Sequence, residues 1–137
     1  MTDTPQNTDQ KHYSVLLLDD DRFLLDMYSV KFSQAGFTVQ SALAASEAIA
    51  ALKGGFKPDV ILFDVVMPVD DGFAFLRQLR EQGLGKDSIL IALTNESEEE
   101  QKKRIQELGG NDYIVKASSI PSEVVHKVEA AIAARKK

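Results

Sequence analysis

Short apolar runs alternate with longer amphipathic stretches along most of this chain. Val15-Leu16-Leu17-Leu18, Val60-Ile61-Leu62-Phe63 and Ile89-Leu90-Ile91-Ala92-Leu93 are continuous Val/Ile/Leu-rich runs, the pattern of strands covered on both faces. With two shorter runs they predict strands over 14–18, 37–41, 59–63, 88–93 and 112–115. Helical spacing predicts a first helix over 22–34, with Phe23, Met27 and Val30 on its inner face and Gly36 at its stop. A second spans 44–53, carries Ile49 and Leu52, and ends at Gly54-Gly55. A third covers 72–82, with Phe75, Leu76 and Leu79 inside and Gly83 at its end. The fourth starts at Ser97, where Glu100 completes a capping box and the acidic first turn suits the helix dipole; it ends near Leu108. Pro121 suits the first turn of the last helix, whose inner side carries Val124, Val125, Val128 and Ile132.

Residues 1–12 lack apolar periodicity and are expected to form a disordered tail, leaving 13–137 as one domain. The order is strand then helix, five times. Because crossovers between parallel strands are right-handed, this α/β pattern predicts a doubly wound parallel sheet. In such sheets the ligand site lies beyond the carboxyl ends of the strands.

Composition narrows the function. The chain has 137 residues, 44% apolar and 27% charged, enough for one real core. No run approaches the roughly 18 apolar residues of a membrane span, and the first ten residues hold no apolar signal region. The absence of cysteine excludes disulfides and thiol chemistry and fits a cytoplasmic protein. A net charge of −5 without a basic stripe argues against direct nucleic-acid binding. Lys102-Lys103-Arg104 and Arg135-Lys136-Lys137 read as helix-end charges rather than a membrane or nucleic-acid patch.

Four predicted strands run straight into polar side chains: the first into Asp19-Asp20-Asp21, the third into Asp64, the fourth into Thr94, the fifth into Lys116. If the first and third strands are neighbours, Asp19, Asp20 and Asp64 converge. Two carboxylates 4–5 Å apart repel by roughly 4 kcal/mol at an effective dielectric near 20. Three therefore call for protonation or a cation, and a hard dication such as Mg²⁺ with open positions for a phosphoryl oxygen resolves the conflict. Asp64 can then act as a nucleophile toward phosphorus, forming an acyl phosphate. Asp21 reads equally well as a plain helix cap, Lys116 alone as a solvent-exposed charge, and Thr94 alone as a turn residue. The joint pattern carries the chemistry.

That pattern resembles the receiver domain of two-component response regulators, over about residues 13–135. The motifs are Leu17-Leu18-Asp19-Asp20-Asp21, the stretch from Pro58 through Asp64 and Met67-Pro68 to Gly72, Ala92-Leu93-Thr94, and Asn111-Asp112-Tyr113-Ile114-Val115-Lys116. The resemblance implies a five-stranded sheet of flavodoxin-like order 2-1-3-4-5. It implies that Asp64 accepts the phosphoryl group and that Asp19, Asp20, Asp64 and the Val66 carbonyl serve Mg²⁺. Thr94 and Lys116 would contact the phosphoryl oxygens, and Thr94 with Tyr113 would form the switch. The implied partners are a sensor histidine kinase or phosphotransfer protein and a separate downstream protein. Output would pass through the face of the fourth helix, fifth strand and fifth helix, from a monomer or a phosphorylation-dependent dimer, with no enzymatic turnover of its own.

The chain departs from the family pattern at Ala117, where proline is usual after the lysine, and at Asn95, where a small residue is usual. Val66 and Glu96 match positions that, in the family the chain resembles, tune phosphoryl lifetime; an apolar Val66 cannot orient attacking water, whereas Glu96 can repel or position it. Two other functions share parts of the pattern. A haloacid-dehalogenase-type phosphatase also uses a strand-end Asp, but it wants a second acid where Val66 stands. A pseudo-receiver would keep the fold and only bind.

Overall fold

A computed structural model of the chain describes residues 12–67, 71–94, 99–116 and 120–135. Five strands, β1 (Ser14–Leu18), β2 (Thr38–Ala42), β3 (Val60–Asp64), β4 (Ile89–Thr94) and β5 (Asp112–Val115), form one sheet. Five helices follow them in turn: α1 (Arg22–Gln34), α2 (Ala45–Lys53), α3 (Gly72–Gln82), α4 (Glu99–Glu107) and α5 (Pro121–Arg135). The strand order is β2-β1-β3-β4-β5, as the resemblance implies, and all pairings are parallel, as the alternation predicts. The order reverses between β1 and β3, whose Leu18 and Phe63 lie side by side at the carboxyl end. Asp19 directly follows Leu18 and Asp64 directly follows Phe63, so the topology alone brings the two acids to one edge.

The pleat divides the strand side chains between two cores. Leu16, Leu18, Ile61, Phe63 and Ala92 pack beneath α2, α3 and Ile105 of α4. Val15, Leu17, Leu62, Ile91, Leu93 and Ile114 pack beneath α1 and α5. All of these strand residues are buried, which explains why the runs read as continuously apolar. At the amino ends, polar side chains tie the edge: Asp59 Oδ2 accepts from Ser14 N at 2.8 Å, and Asn111 Oδ1 accepts from Leu90 N at 2.7 Å.

Caps set the helix ends. Asp21 Oδ1 accepts from Leu24 N at 3.2 Å, so Asp21 is the α1 cap. Asp71 Oδ1 accepts from Ala74 N at 2.9 Å and starts α3. Gly83 closes α3 at φ +66°, a left-handed conformation that glycine adopts without steric cost. The capping box expected at Ser97 and Glu100 lies outside the described side chains.

One expectation fails. α1 buries Leu25, Tyr28 and Phe32, while Phe23 is 75% and Val30 54% exposed. The helix carries two apolar stripes of helical spacing, 23/27/30 and 25/28/32, and periodicity cannot choose between them. Burial favours the second stripe, where Phe32 meets Phe37 edge-on with ring centroids 5.0 Å apart. β2, β3 and β4 also run one residue further toward the carboxyl end than their apolar runs suggest.

Candidate functional site

Asp19, Asp20 and Asp64 each offer a carboxylate oxygen within 4.8 Å of the others'. Asp19 and Asp64 are buried and Asp20 is exposed. Short loops fix the two buried acids. Asp19 Oδ1 accepts from Asp21 N at 3.0 Å, and Asp64 Oδ1 accepts from Val66 N at 3.2 Å. Each acid thus turns one oxygen back onto its own loop and keeps the other for the pocket. Behind Asp64, Gly72 N donates to Val65 O at 2.9 Å, drawing α3 against the end of β3. A Cβ at Gly72 would stand 2.8 Å from both Asp64 O and Val65 Cα, so only glycine admits this approach.

Lys116, directly after β5, reaches across β4 into the acids. Its Nζ lies 3.0 Å from Asp19 Oδ2 and 3.3 Å from Asp64 Oδ2. Burial pulls the ammonium pKa down, but the hydrogen bond and charge of Asp19 and the charge of Asp64 outweigh it and hold it above the usual lysine value. Asp64 is moved the other way from most paired carboxylates. Burial and the charge of Asp19 raise it from 3.8 to about 6, against the pull of Lys116 and the Val66 N–H. One lysine does not compensate three acids. Asp19 Oδ2 is buried, and its close partner among the described residues is the Lys116 ammonium. A crowded, all-oxygen, under-compensated cluster of this kind fits a hard dication such as Mg²⁺.

The pleat sorts the remaining site residues. Asp64 alternates with Val60 and Leu62, so it shares their face of the sheet, and Asp19 and Lys116 continue the same alternation on their own strands. Thr94 and Tyr113 fall on the opposite face, toward α4. Thr94 is buried and its hydroxyl donates to Gln101 Oε1 of α4 at 2.7 Å. Tyr113 is half-buried, with Lys102 Nζ 4.9 Å from its ring centroid. The Val66 side chain is 58% exposed.

The structure therefore gathers Asp19, Asp20, Asp64 and Lys116 into one contact group, and sets Thr94 and Tyr113 beside it against α4. Two residues of this neighbourhood escape the sequence. Gln101 is an ordinary polar residue in a polar helix, visible only by its place seven residues after a strand-end threonine. Tyr28 projects from α1 into the layer under the acids. Burial raises its hydroxyl pKa, and it feels the charges of Lys116, Asp19 and Asp64. Asn95, Glu96 and Ala117 lie outside the described residues.

Residues 15–129 match the family model of the response regulator receiver domain. Among curated relatives, the phosphate regulon transcriptional regulatory protein PhoB of Pseudomonas aeruginosa is 33% identical over 119 residues, 87% of this chain and 51% of that protein. The alkaline phosphatase synthesis transcriptional regulatory protein PhoP of Bacillus subtilis is 34% identical over 116 residues, 85% of this chain and 47% of that protein. The chain thus spans about half the length of the curated relatives it matches. Among solved structures, the chemotaxis protein CheY4 of Vibrio cholerae superposes with a TM-score of 0.81 at 30% identity, covering 88% of this chain and 98% of that one. With the strand order, the acid cluster and this match in agreement, the chain belongs to the response regulator receiver domains of two-component signal transduction.

Proposed function

We propose that the chain is a phosphorylation-dependent switch whose acceptor is Asp64. The observation that carries this reading is the convergence of Asp19, Asp20 and Asp64 at the sheet edge, with Lys116 bridging the two buried acids. An Asp64 carboxylate oxygen attacks the phosphorus of a phosphohistidine on a histidine kinase or phosphotransfer protein. The new P–O bond forms as the P–N bond breaks, and the leaving imidazole nitrogen takes up a proton from solvent. Water later attacks the same phosphorus, releasing inorganic phosphate and restoring the carboxylate.

Asp19, Asp20, Asp64 and the Val66 carbonyl are the candidates to hold Mg²⁺. When bound, the ion offsets the charge of the incoming phosphoryl group. Lys116, which contacts Asp19 and Asp64 at rest, follows Asp64 onto a phosphoryl oxygen in this reading. Thr94 supplies a hydroxyl from the next strand. Tyr113, on the α4 side, couples its position to the α4-β5-α5 face, which would meet a separate target protein in the cytoplasm.

Acetyl phosphate with Mg²⁺, followed by intact mass, tests the reading. A gain of one phosphoryl group is expected, dependent on metal and lost in Asp64→Asn. No adduct under these conditions, together with no amide shifts on adding beryllofluoride, would leave a binding module without phosphorylation. Steady turnover of varied phosphate esters would indicate a phosphatase.

A further inference from the structure

The pleat sets Thr94 and Asp64 on opposite faces of the sheet, and on its own face the Thr94 hydroxyl has a partner on α4, Gln101. Its side-chain oxygen takes the Thr94 hydroxyl proton at 2.7 Å, in a half-buried setting where water competes poorly. A hydroxyl has one proton to donate. If Thr94 is to donate to a phosphoryl oxygen on Asp64, the bond to Gln101 must first break.

The helix that carries Gln101 is poorly anchored by apolar burial. Ile105 is its one buried apolar side chain among those described. Its described contacts include two cation–π pairs: Lys102 over the Tyr113 ring, and Arg104 with its guanidinium carbon 4.0 Å from the Phe73 ring centroid. The Thr94–Gln101 bond is a tie, among the described residues, between the first turn of α4 and the end of β4. Breaking it touches both the pocket and the helix.

We infer that Gln101 is a positioning residue that latches the Thr94 hydroxyl to α4 in the resting state, so that phosphoryl binding must spend part of its free energy opening the latch. The inference rests on the proposed phosphorylation of Asp64. Removing the acceptor should favour the activated state, because the resting hydroxyl would then be buried without this partner.

Gln101→Met keeps length and helix propensity but removes the acceptor. With the full chain at saturating Mg²⁺, beryllofluoride is titrated and amide shifts are followed. Gln101→Met should bind roughly 2- to 10-fold more tightly than the parent, the range of one net hydrogen bond. In a Thr94→Ala background the same substitution should change nothing, since the latch acts only through that hydroxyl. A merely structural effect of position 101 would persist when Thr94 is removed. Equal or weaker binding by Gln101→Met, or a gain that survives in Thr94→Ala, overturns the latch and leaves the Asp64 reading intact. No saturable, Asp64-dependent binding by the parent overturns both.

Discussion

Without metal, Asp64 is a liability to the fold, and Asp64→Asn should make the protein more stable. Burial and Asp19 raise its pKa from 3.8 to about 6 even with Lys116 at 3.3 Å. A rise of about two pH units corresponds to ~3 kcal/mol against the ionised form at neutral pH. Asparagine has nearly the same shape and can still accept from Val66 N, while Lys116 keeps Asp19 as a partner at 3.0 Å. Some attraction to Lys116 is lost, so a gain of roughly 1–3 kcal/mol is expected, with melting raised by about 4–10 °C for a domain of this size. The sign of the pH dependence follows from the direction of the shift. Between about pH 4 and 6 the folded state holds a proton on Asp64 that the unfolded chain has released, so the parent loses stability as pH rises through this window. Above it both states are ionised and the full penalty applies; below it both are protonated and the penalty vanishes. Urea unfolding in EDTA at pH 7.5 and again near pH 4 measures the gap between parent and variant. The gap should be open at the higher pH and nearly closed at the lower, and excess Mg²⁺ at pH 7.5 should narrow or reverse it by stabilising the parent. A variant no more stable than the parent at pH 7.5 in EDTA would refute the claim that burial and Asp19 outweigh Lys116.

Lys116→Gln should have the opposite effect. It removes a charge shared by two buried acids, and the metal-free protein should lose roughly 1–3 kcal/mol at neutral pH, partly restored by Mg²⁺ in the same unfolding assay. Gly72→Ala forces a methyl to within 2.8 Å of backbone at the end of β3, and calorimetry should show a loss of roughly 1–3 kcal/mol. The face assignment of α1 is checked by a pair: Phe23→Ser should stay within about 0.5 kcal/mol of the parent, whereas Leu25→Ala should cost about 2–5 kcal/mol in chemical denaturation. A large loss from Phe23→Ser would restore the stripe that the structure rejects.

Strand and helix order were legible because two-sided burial writes unbroken apolar runs and because glycines and acidic caps punctuate them. β1, α1, α3 and β5 begin and end where those signals fall. β3 and β4 run one residue further because ladder pairing belongs to the backbone: Asp64 pairs with Leu93 and Thr94 with Val115, whatever their side chains. The face of α1 was not legible, since seven of its first eleven residues are apolar or aromatic and two stripes fit. The gathering of Asp19, Asp20, Asp64 and Lys116 followed from strand ends and motif together. Gln101 did not, because its partner is chosen by where α4 lies across the sheet, and nothing in a polar helix encodes that distance.

The pleat that separates the two cores also makes the sheet a partition wall. Phe75 and Leu76 pack on one side, Val125 and Val128 on the other, with the sheet between them. Residues on opposite sides share few partners, so substitutions in the α1–α5 layer should add to those in the α2–α4 layer without much coupling. The chain can therefore be rewritten one side at a time. The α1–α5 layer that packs beside the acids and the α2–α4 layer that holds Thr94 and Tyr113 can accept changes largely independently of each other.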